Sequence, residues 1–542
     1  MNTDKLKSKA TALKLVVLIA IAAIAYVWRP FFHWIFYNAA YSPGFVIVIG
    51  STAIAGIALF ILPQLGDEPT KSFDSKMSIF GTVVVAAMVI ALLYSFPAAM
   101  VEQRTLASET MDDAVEVDSF PEVNEQNPRI TPRAVSDTQT SGSVSYRQHK
   151  LGTSDIARTE DGRLAWSYAI EPGPFKVGLT GNQRGVLLAD MTTMEDREIL
   201  AYDEQDFAIG KHMFVHRGAD WNLKKTDYWT QYRDEPVEFT HNGTAYMAYP
   251  KTGHEWKLGP LPHTIPVWDG VALIHPDGTI DHLSPEEAQN SEILDGQRLY
   301  PIYNAEREAS SLGYREGILN QMPVVGSYKN VVEVADMPSG AGNSQPFVID
   351  LEGEEMAYVI AMEPHGASTR GLDEVWFFSA ETGEKQFYGT GDDTLLGPER
   401  AMGIVRSEDS QTGWASGSEG GNFQVVEPIP VVIDDQLWWH SKVVPIDQTD
   451  VTRNVFVNAH EGEAVELHNT EAVIEFMGGE EVENISDAAE VGTEDPENVD
   501  EDEINGSQEN VSYYIVVENE DGEVVERIPV REGQETNIRQ AK

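Results

Sequence analysis

Apolar residues concentrate in three long segments near the start of the chain. They run from Ala12 to Trp28, from Gly44 to Gly66 and from Ser78 to Met100, and an aromatic run at residues 31–41 follows the first. Segments of about 20 apolar residues are long enough to cross a hydrocarbon core of about 30 Å as helices. The pattern predicts three transmembrane helices within residues 1–101. A signal peptide is the alternative for the first segment, and buried core helices are the alternative for the other two.

The distribution of basic residues predicts the orientation of these helices. Lysines crowd the N-terminus and the loop between the second and third segments, whereas Arg29 is the only Lys or Arg of the first loop. Because basic loops stay on the cytoplasmic side, we expect a cytoplasmic N-terminus and an extracellular location for everything after Val101. No ionisable residue interrupts the second or third segment. The spans are therefore interpreted as an anchor in the lipid bilayer of the cell membrane, not as an ion path.

Between residues 151 and 477 the chain changes to short runs of alternating apolar and polar residues, which are typical of strands. The stretch from Arg453 to Asn469 shows the pattern, with Gly462 between two such runs. Glycine takes positive φ without steric cost, which suits a tight hairpin turn. Similar hairpins are predicted to turn at Asp161-Gly162, Asn242-Gly243, Asp277-Gly278, Gly353, Gly383 and Asp434-Asp435.

The hairpins recur in a fixed order, in which two hairpins are followed by a helix start. One such start follows Leu283, where Ser284 suits an N-cap and Pro285 suits the first helical turn. We predict an α+β ectodomain of repeated antiparallel four-stranded sheets, each with a helix, beyond the three N-terminal transmembrane helices. The predicted units span residues 151–234, 235–345, 346–426 and 427–477. Chance hairpins in a β-rich protein are the alternative.

Polar segments and a last hairpin complete the predicted organisation. Residues 102–150 are rich in Ser, Thr, Asn and Pro, which predicts a flexible acidic stalk. Residues 478–510 hold many carboxylates without Lys or Arg, which predicts a disordered acidic spacer. Calcium binding is the alternative for the spacer, although the EF-hand pattern is absent. Residues 511–542 predict a C-terminal hairpin. Candidate glycosylation sites that match N-x-[ST] are Asn242, Asn484, Asn505 and Asn510.

Charge and cysteine content narrow the environment. Asp and Glu number 87 against 38 Lys and Arg, and the formal net charge is −49. An acidic surplus spread along the whole chain favours a protein adapted to high salt, where self-repulsion is screened. An ordinary acidic secreted protein is the alternative. Nucleic acid is not an expected partner, because the chain has no basic stripe. The chain has no cysteine, so disulfides, thiolate catalysis and Cys-ligated metals are excluded.

Candidate chemistry is sparse, and no catalytic residue, cofactor or metal site is predicted. His254 and His263 do not have the spacing of a short helical metal pair. Asp392 and Asp393 could form a carboxylate pair, but a solvated turn is the favoured interpretation. Trp438, Trp439 and His440 form a possible binding surface if strand alternation turns one tryptophan outward. Core packing is the favoured interpretation for these three residues.

Three hairpins also share a short motif. "SAETGEKQ" (379–386), "NAHEGEAVE" (458–466) and "ENEDGEVVE" (518–526) place a Gly-Glu pair between two strands. This motif resembles the signature of PepSY-type domains, which are cystatin-like units of one helix and a four-stranded sheet. The resemblance implies an extracytoplasmic domain on a membrane anchor that holds or inhibits proteases, without catalytic residues. The chain departs from the family at Ser379 and in long insertions at residues 217–234 and 406–422.

Together these features predict a membrane-anchored surface protein with a tandem ectodomain. We expect it to bind or regulate another extracytoplasmic protein, or to form part of a cellular or viral surface assembly. An extracytoplasmic hydrolase is the alternative from a different class. The identity of the partner and the oligomeric state do not follow from the sequence.

Overall fold

The computed structural model describes residues 16–482, apart from 17–18, 21, 62–71, 144–147, 196, 323–325, 338–341, 354, 367–370, 392–394, 409–411, 417–418 and 481, together with 511–518 and 524–531. The chain divides into two compact units, Met1–Asn484 and Ile485–Lys542. The second unit contains an antiparallel strand pair, at the position of the predicted C-terminal hairpin.

The fold belongs to the α+β class, as predicted. The strands are β1 Ala114–Glu116, β2 His149–Leu151, β3 Asp155–Arg158, β4 Leu164–Pro172, β5 Val186–Asp190, β6 Ile199–Tyr202, β7 Val237–His241, β8 Thr244–Lys257, β9 His263–Ile274, β10 Ile280–Leu283, β11 Val332–Val334, β12 Phe347–Leu351, β13 Glu355–Pro364, β14 Gly371–Leu372, β15 Glu374–Ser379, β16 Lys385–Gly389, β17 Leu395–Leu396, β18 Ala415–Ser416, β19 Glu419–Gly420, β20 Phe423–Ile433, β21 Gln436–Pro445, β22 Arg453–Asn458, β23 Ala464–Leu467, β24 Val511–Glu518 and β25 Val524–Arg531.

Helices alternate with these strands. The α-helices are α1 His33–Tyr41, α2 Pro43–Gly56, α3 Phe73–Asp113, α4 Arg133–Ser141, α5 Phe175–Thr180, α6 Ala219–Thr226, α7 Pro285–Gln289, α8 Ile302–Ser311, α9 Pro398–Glu408 and α10 Thr470–Met477. Residues 22–27 are also helical. Short 3₁₀ turns at Arg29–Phe32, Val215–Arg217, Leu312–Tyr314 and Ile318–Gln321 and a π-turn at Ile57–Ile61 complete the helical elements described.

Four larger sheets make up most of the first unit. Sheet I has the order β2-β4-β5-β6 with β3 also paired to β4, and sheet II has the order β10-β9-β8-β7. Sheet III has the order β1-β16-β15-β13-β11 with β12 also paired to β13, and sheet IV has the order β20-β21-β22-β23. All these pairings are antiparallel except the parallel pair β1–β16. Each sheet therefore contains a four-stranded antiparallel meander, and sheets I and III gain further strands.

The turn residues explain why the hairpins close where the sequence indicates. Gly462 adopts φ 77° between β22 and β23. Asp434 and Asp435 adopt φ 51° and 60° between β20 and β21, as a two-residue turn with positive φ at both central positions requires. Helix α7 begins as expected, with Ser284 and Glu287 forming a reciprocal capping box.

The sheets share cores and do not each enclose a core of their own. One core packs Phe347 and Phe377 of sheet III against Trp439 and Val455 of sheet IV. A second joins sheets I and III with helix α8, and a third joins sheets I and II. This sharing explains why residues up to Asn484 form one compact unit.

The segment predicted as a flexible stalk over residues 102–150 is built into the fold. Its first part is the end of α3, and β1 follows at once and pairs with β16. Ile130 and Val135 have no exposed surface. Its polar composition suggested disorder, but several of its polar side chains are buried with partners. The Ser136 hydroxyl, for example, lies 2.6 Å from the Tyr168 hydroxyl.

Two helices in the described part of the chain are long and apolar enough to cross a membrane. They cover Pro43–Phe60 and Phe73–Asp113, which correspond to the second and third predicted spans. The first predicted span, Ala12–Trp28, lies partly outside the described residues. The structure therefore gives two candidate spans where the sequence predicts three, and the span at Ala12–Trp28 stays a prediction.

Candidate functional site

The predicted binding surface lies inside the protein. Trp438, Trp439 and His440 are 9%, 0% and 1% exposed. Trp438 packs edge-on against Phe476 of α10, and the Trp439 indole donates to the carbonyl of Leu396, just before α9. Neighbouring strand residues face opposite sides, so both faces of sheet IV are covered. These three residues therefore do not form an exposed surface.

Helix α1 is attached to sheet II and the segment before it by buried polar side chains. The Tyr37 hydroxyl lies 2.7 Å from Nδ1 of His254 in β8. Burial, with a smaller contribution from nearby arginines, lowers the pKa of His254 to about 4. The imidazole is therefore neutral at physiological pH, and its Nδ1 shares a hydrogen bond with the Tyr37 hydroxyl. His33 Nε2 lies 3.1 Å from the carbonyl oxygen of Thr230.

The end of α1 is fixed through its backbone. The Trp256 indole donates to the carbonyl of Ala40 at 3.0 Å, and the Thr264 hydroxyl donates to the carbonyl of Tyr41 at 2.8 Å. Trp256 and Thr264 face each other across β8 and β9. Both strands of the β8–β9 hairpin therefore bind the end of α1.

The same hairpin also packs along α3. Three of its contacts follow this helix: Tyr94 Oη to the Pro262 carbonyl at 2.6 Å, Thr105 Oγ1 to His263 Nε2 at 2.9 Å, and Glu109 Oε1 to Lys257 Nζ at 2.8 Å. Arg307 of α8 adds an ion pair to Glu102. We call this set of contacts with α1 and α3 the junction. His254 and His263 thus position helices, and no group of three His, Cys, Asp or Glu in the described residues could hold a metal ion.

Buried arginines connect the sheets to one another. The Arg158 guanidinium of sheet I pairs with Asp350 of sheet III. Arg298 pairs with Asp155 of sheet I and donates to the Tyr358 hydroxyl of sheet III at 3.1 Å. Arg298 is 1% exposed. Such pairs are satisfied only when the sheets are assembled, so they fix the sheets relative to one another.

A concave surface lies where hairpin turns of sheets I, II and III meet. We call it the acidic cleft, and its volume is about 720 Å³. Its carboxylates are Glu160, Glu292, Asp295, Glu355, Glu381 and Glu384. Burial and neighbouring carboxylates raise the pKa of Glu381 to about 7. The hydroxyl of Thr240, a lining residue that is 3% exposed, has no hydrogen-bond partner among the described groups.

A second acidic cluster lies deeper, around Lys211. Its ammonium lies 2.7 Å from Glu235, 3.5 Å from Glu171 and 3.7 Å from Glu238. Burial raises the pKa of Glu238 to about 8, and Lys211 partly offsets this shift. The Glu171 and Glu238 side chains have no exposed surface. A substrate cannot reach them in this conformation, so the cluster has a structural role.

The remaining predicted site residues differ in how far the structure places them. Asn242 is exposed at the β7–β8 turn and lies at the rim of the acidic cleft. The candidates Asn484, Asn505 and Asn510 lie outside the described residues, as does the carboxylate pair Asp392 and Asp393.

Comparison with known proteins gives no further assignment. No family model, no curated protein and no solved structure matches the chain. The resemblance to PepSY-type domains therefore stays a prediction.

Sequence reasoning missed the junction, although a signal for it was present. The aromatic run at residues 31–41 was interpreted only as a membrane-interface cluster. His254 and Trp256, two positions apart on β8, are aromatic side chains that each combine an apolar ring with a polar group. Such side chains are common at interfaces. The two patterns together indicate partners, but only the fold shows that they meet.

Proposed function

We propose that this chain is a membrane-anchored extracytoplasmic protein, adapted to high salt, that binds or regulates another extracytoplasmic protein or forms part of a surface assembly. Helix α3 carries the proposal, because it runs unbroken from an apolar segment into β1 of sheet III. A helix of 41 residues is about 60 Å long, about twice the hydrocarbon thickness of a bilayer. Its second half therefore belongs to the ectodomain, which is held at a fixed height and orientation.

Outward apolar side chains on α3 support a membrane environment. Leu92, Leu93 and Phe96 are 75%, 70% and 70% exposed. Exposure to water would be unfavourable for these side chains, whereas lipid tails accept them. With the lysine distribution, this supports a cytoplasmic N-terminus and three spans. Asn242 then lies outside the cell, where a glycan could be added.

The recurrence of one strand order supports a tandem of four related units. The Gly-Glu turns at Gly383 and Gly462 occupy the same place, in the second hairpin of sheets III and IV. The proposal thus retains a PepSY-type role, in which the ectodomain holds another protein and does not transform a substrate.

The acidic cleft is the surface that we assign to the partner. Three sheets each contribute a turn to it, so the cleft exists only in the assembled ectodomain. Its six carboxylates favour a partner surface with lysine or arginine side chains, which would lower their mutual repulsion. The buried Thr240 hydroxyl offers an unused hydrogen-bonding group at the same place.

Thiol labelling of intact cells tests the location. The native chain has no cysteine, so Ile446→Cys and Asp74→Cys each provide a single reactive site. Ile446 is 50% exposed in the turn after β21, and Asp74 lies in the predicted cytoplasmic loop. A membrane-impermeant maleimide should label only Ile446→Cys. Labelling of Asp74→Cys alone would reject the proposed orientation.

Photo-crosslinking in native membranes tests the partner surface. A p-benzoylphenylalanine at Thr382, an exposed residue of the cleft, should give a discrete adduct with an extracytoplasmic protein. The same label at Ile446 serves as the control. Combined Glu355→Gln, Glu381→Gln and Glu384→Gln substitutions should abolish the adduct. An adduct that forms equally from both positions, or that ignores the charge change, would contradict the assignment.

A further inference from the structure

The β8–β9 hairpin ends in a tip that has no charge and few partners. The tip is residues 258–262, with the sequence Leu-Gly-Pro-Leu-Pro. Leu258 is 87% exposed, the highest value among the large apolar side chains that the structure describes. Gly259 and Pro260 are also exposed. Polar residues normally occupy hairpin tips in water, so this composition requires an explanation.

The position of the tip along α3 supplies that explanation. Contacts of the hairpin with α3 descend from Glu109 through Thr105 to Tyr94. From Glu109 to Tyr94 is about 22 Å along a helix. Tyr94 lies six residues before Met100, the predicted end of the third span. The carbonyl of Pro262 in the tip accepts from Tyr94, so the tip reaches the depth of the apolar segment.

A second exposed apolar group lies near the start of α1. Trp229 is 52% exposed. Its neighbour Tyr228 donates its hydroxyl to the carbonyl of Arg29 at 3.1 Å, and the carbonyl of Thr230 contacts His33. Trp229 is therefore held next to the start of α1. Tryptophan favours the interface between lipid and water.

We propose that the β8–β9 tip inserts into the outer leaflet of the bilayer that holds α3, and that Trp229, near the start of α1, lies in the interface of the same leaflet. The proposal rests on the proposed membrane anchoring. We assign lipid as the partner of the tip for two reasons. The tip lies beside α3, whose outward side chains are apolar, and it has no charge with which a protein partner could pair. Insertion adds a contact between ectodomain and membrane that is independent of the spans and stops the ectodomain from tilting about α3.

Single-cysteine fluorescence on the full chain tests the insertion. Leu258→Cys and, separately, Pro260→Cys are labelled with an environment-sensitive fluorophore and reconstituted in phosphatidylcholine vesicles. Ile446→Cys is the control, since Ile446 is an exposed apolar residue in the turn after β21, outside the junction. A doxyl group near the lipid headgroup should quench the tip labels several-fold more than the control label. Iodide in the water phase should quench the control label more than the tip labels.

The outcomes are separable from those of the proposed function. Iodide quenching of the tip labels equal to that of the control would overturn insertion. Tip labels protected from iodide but insensitive to doxyl lipid would also overturn it, because a protein surface would then cover the tip. Failure of external labelling at Ile446→Cys would reject the extracytoplasmic location. The lipid-quenching result would still decide whether the tip inserts into lipid.

Discussion

Arg129 and Glu427 form an ion pair in the interior, with Nη2 and Oε2 2.9 Å apart. Their side chains are 3% and 0% exposed. Arg129 belongs to the segment after α3, and Glu427 lies at a bulge in β20 of sheet IV. The same guanidinium donates to the carbonyl of Val348 in sheet III at 3.0 Å and lies over the Trp166 ring of sheet I. One side chain thus connects three sheets to the segment that follows α3.

Removing one partner of this pair should be strongly destabilising. Arg129→Met or Glu427→Gln leaves the other, charged side chain buried without its partner, which costs about 3–5 kcal/mol. Chemical denaturation of the full chain in detergent at high salt measures the loss. Asp220→Asn is the control, since its i,i+4 pair with Lys224 is exposed and should contribute less than about 1 kcal/mol. Equal losses would contradict the role assigned to Arg129.

Lys442 should make stability depend on pH. Burial, with nearby Arg129, lowers its pKa to about 7, against about 10.4 when unfolded. The unfolded chain therefore binds a proton that the folded protein has released, and the free energy of unfolding rises with pH between these values. Lys442→Met should stabilise the protein near pH 7. The difference in the free energy of unfolding between variant and native protein should then shrink by about 1.4 kcal/mol per pH unit towards about pH 10. Denaturation midpoints across this range check it.

The exposed Lys176 provides the control for this pH series. Lys176→Met should change the midpoint little and leave its pH dependence as in the native protein. A Lys442→Met curve parallel to that of the native chain would show that Lys442 is charged in the folded state.

Two hairpin glycines of sheet III should differ in their tolerance of alanine. Gly353 and Gly383 adopt φ 89° and 74°, so alanine costs about 1 kcal/mol at either position. An added Cβ meets nothing within 4 Å at Gly353 but lies 2.5 Å from a buried Tyr300 ring carbon at Gly383. Gly383→Ala should therefore be worse by about 1–3 kcal/mol. Equal denaturation midpoints for the two variants would be inconsistent with this packing.

Salt should stabilise the folded chain. The net charge of −49 repels itself over a Debye length of about 10 Å at 0.1 M salt but only about 3 Å at 1 M. The melting temperature should rise steeply as KCl increases into the molar range. Sucrose at matched osmolality is the control, because it does not screen charge. A melting temperature that is highest in dilute buffer would reject adaptation to high salt.

The junction should hold the ectodomain in one orientation. Spin labels on Met88→Cys in α3 and Ile446→Cys in the turn after β21 can be placed in the cysteine-free chain without side reactions. Both native side chains are exposed, at 54% and 50%. The distance distribution between the labels should be a single narrow peak. A broad distribution, of the kind that a flexible stalk would produce, would contradict a rigid mount.

Local chemistry made much of the fold predictable. Glycine and aspartate at the turns predicted hairpins at Gly462 and at Asp434-Asp435, because positive φ depends on residues next to one another in the chain. Cap signals predicted α7 at Ser284 for the same reason. The apolar segments predicted the two candidate spans, since spanning depends on length and hydrophobicity alone.

Long-range contacts decided the rest. The sequence around Arg129 is polar and looks like a stalk, and it becomes core only because Glu427, almost 300 positions away, meets its charge. Strand alternation suggested that Trp438 or Trp439 faces solvent, but Phe476 of α10 packs against Trp438 and Leu396 of β17 contacts Trp439, so both are covered.

The sequence by itself determined the apolar segments, the hairpins and the acidic character of this protein, because each depends on neighbouring residues or on composition. Only the tertiary structure decided that α3 runs into sheet III, that buried arginines lock the sheets together and that the β8–β9 tip lies beside the apolar segment. Burial and charge pairing depend on which distant residues meet, and that information is present only in the folded chain.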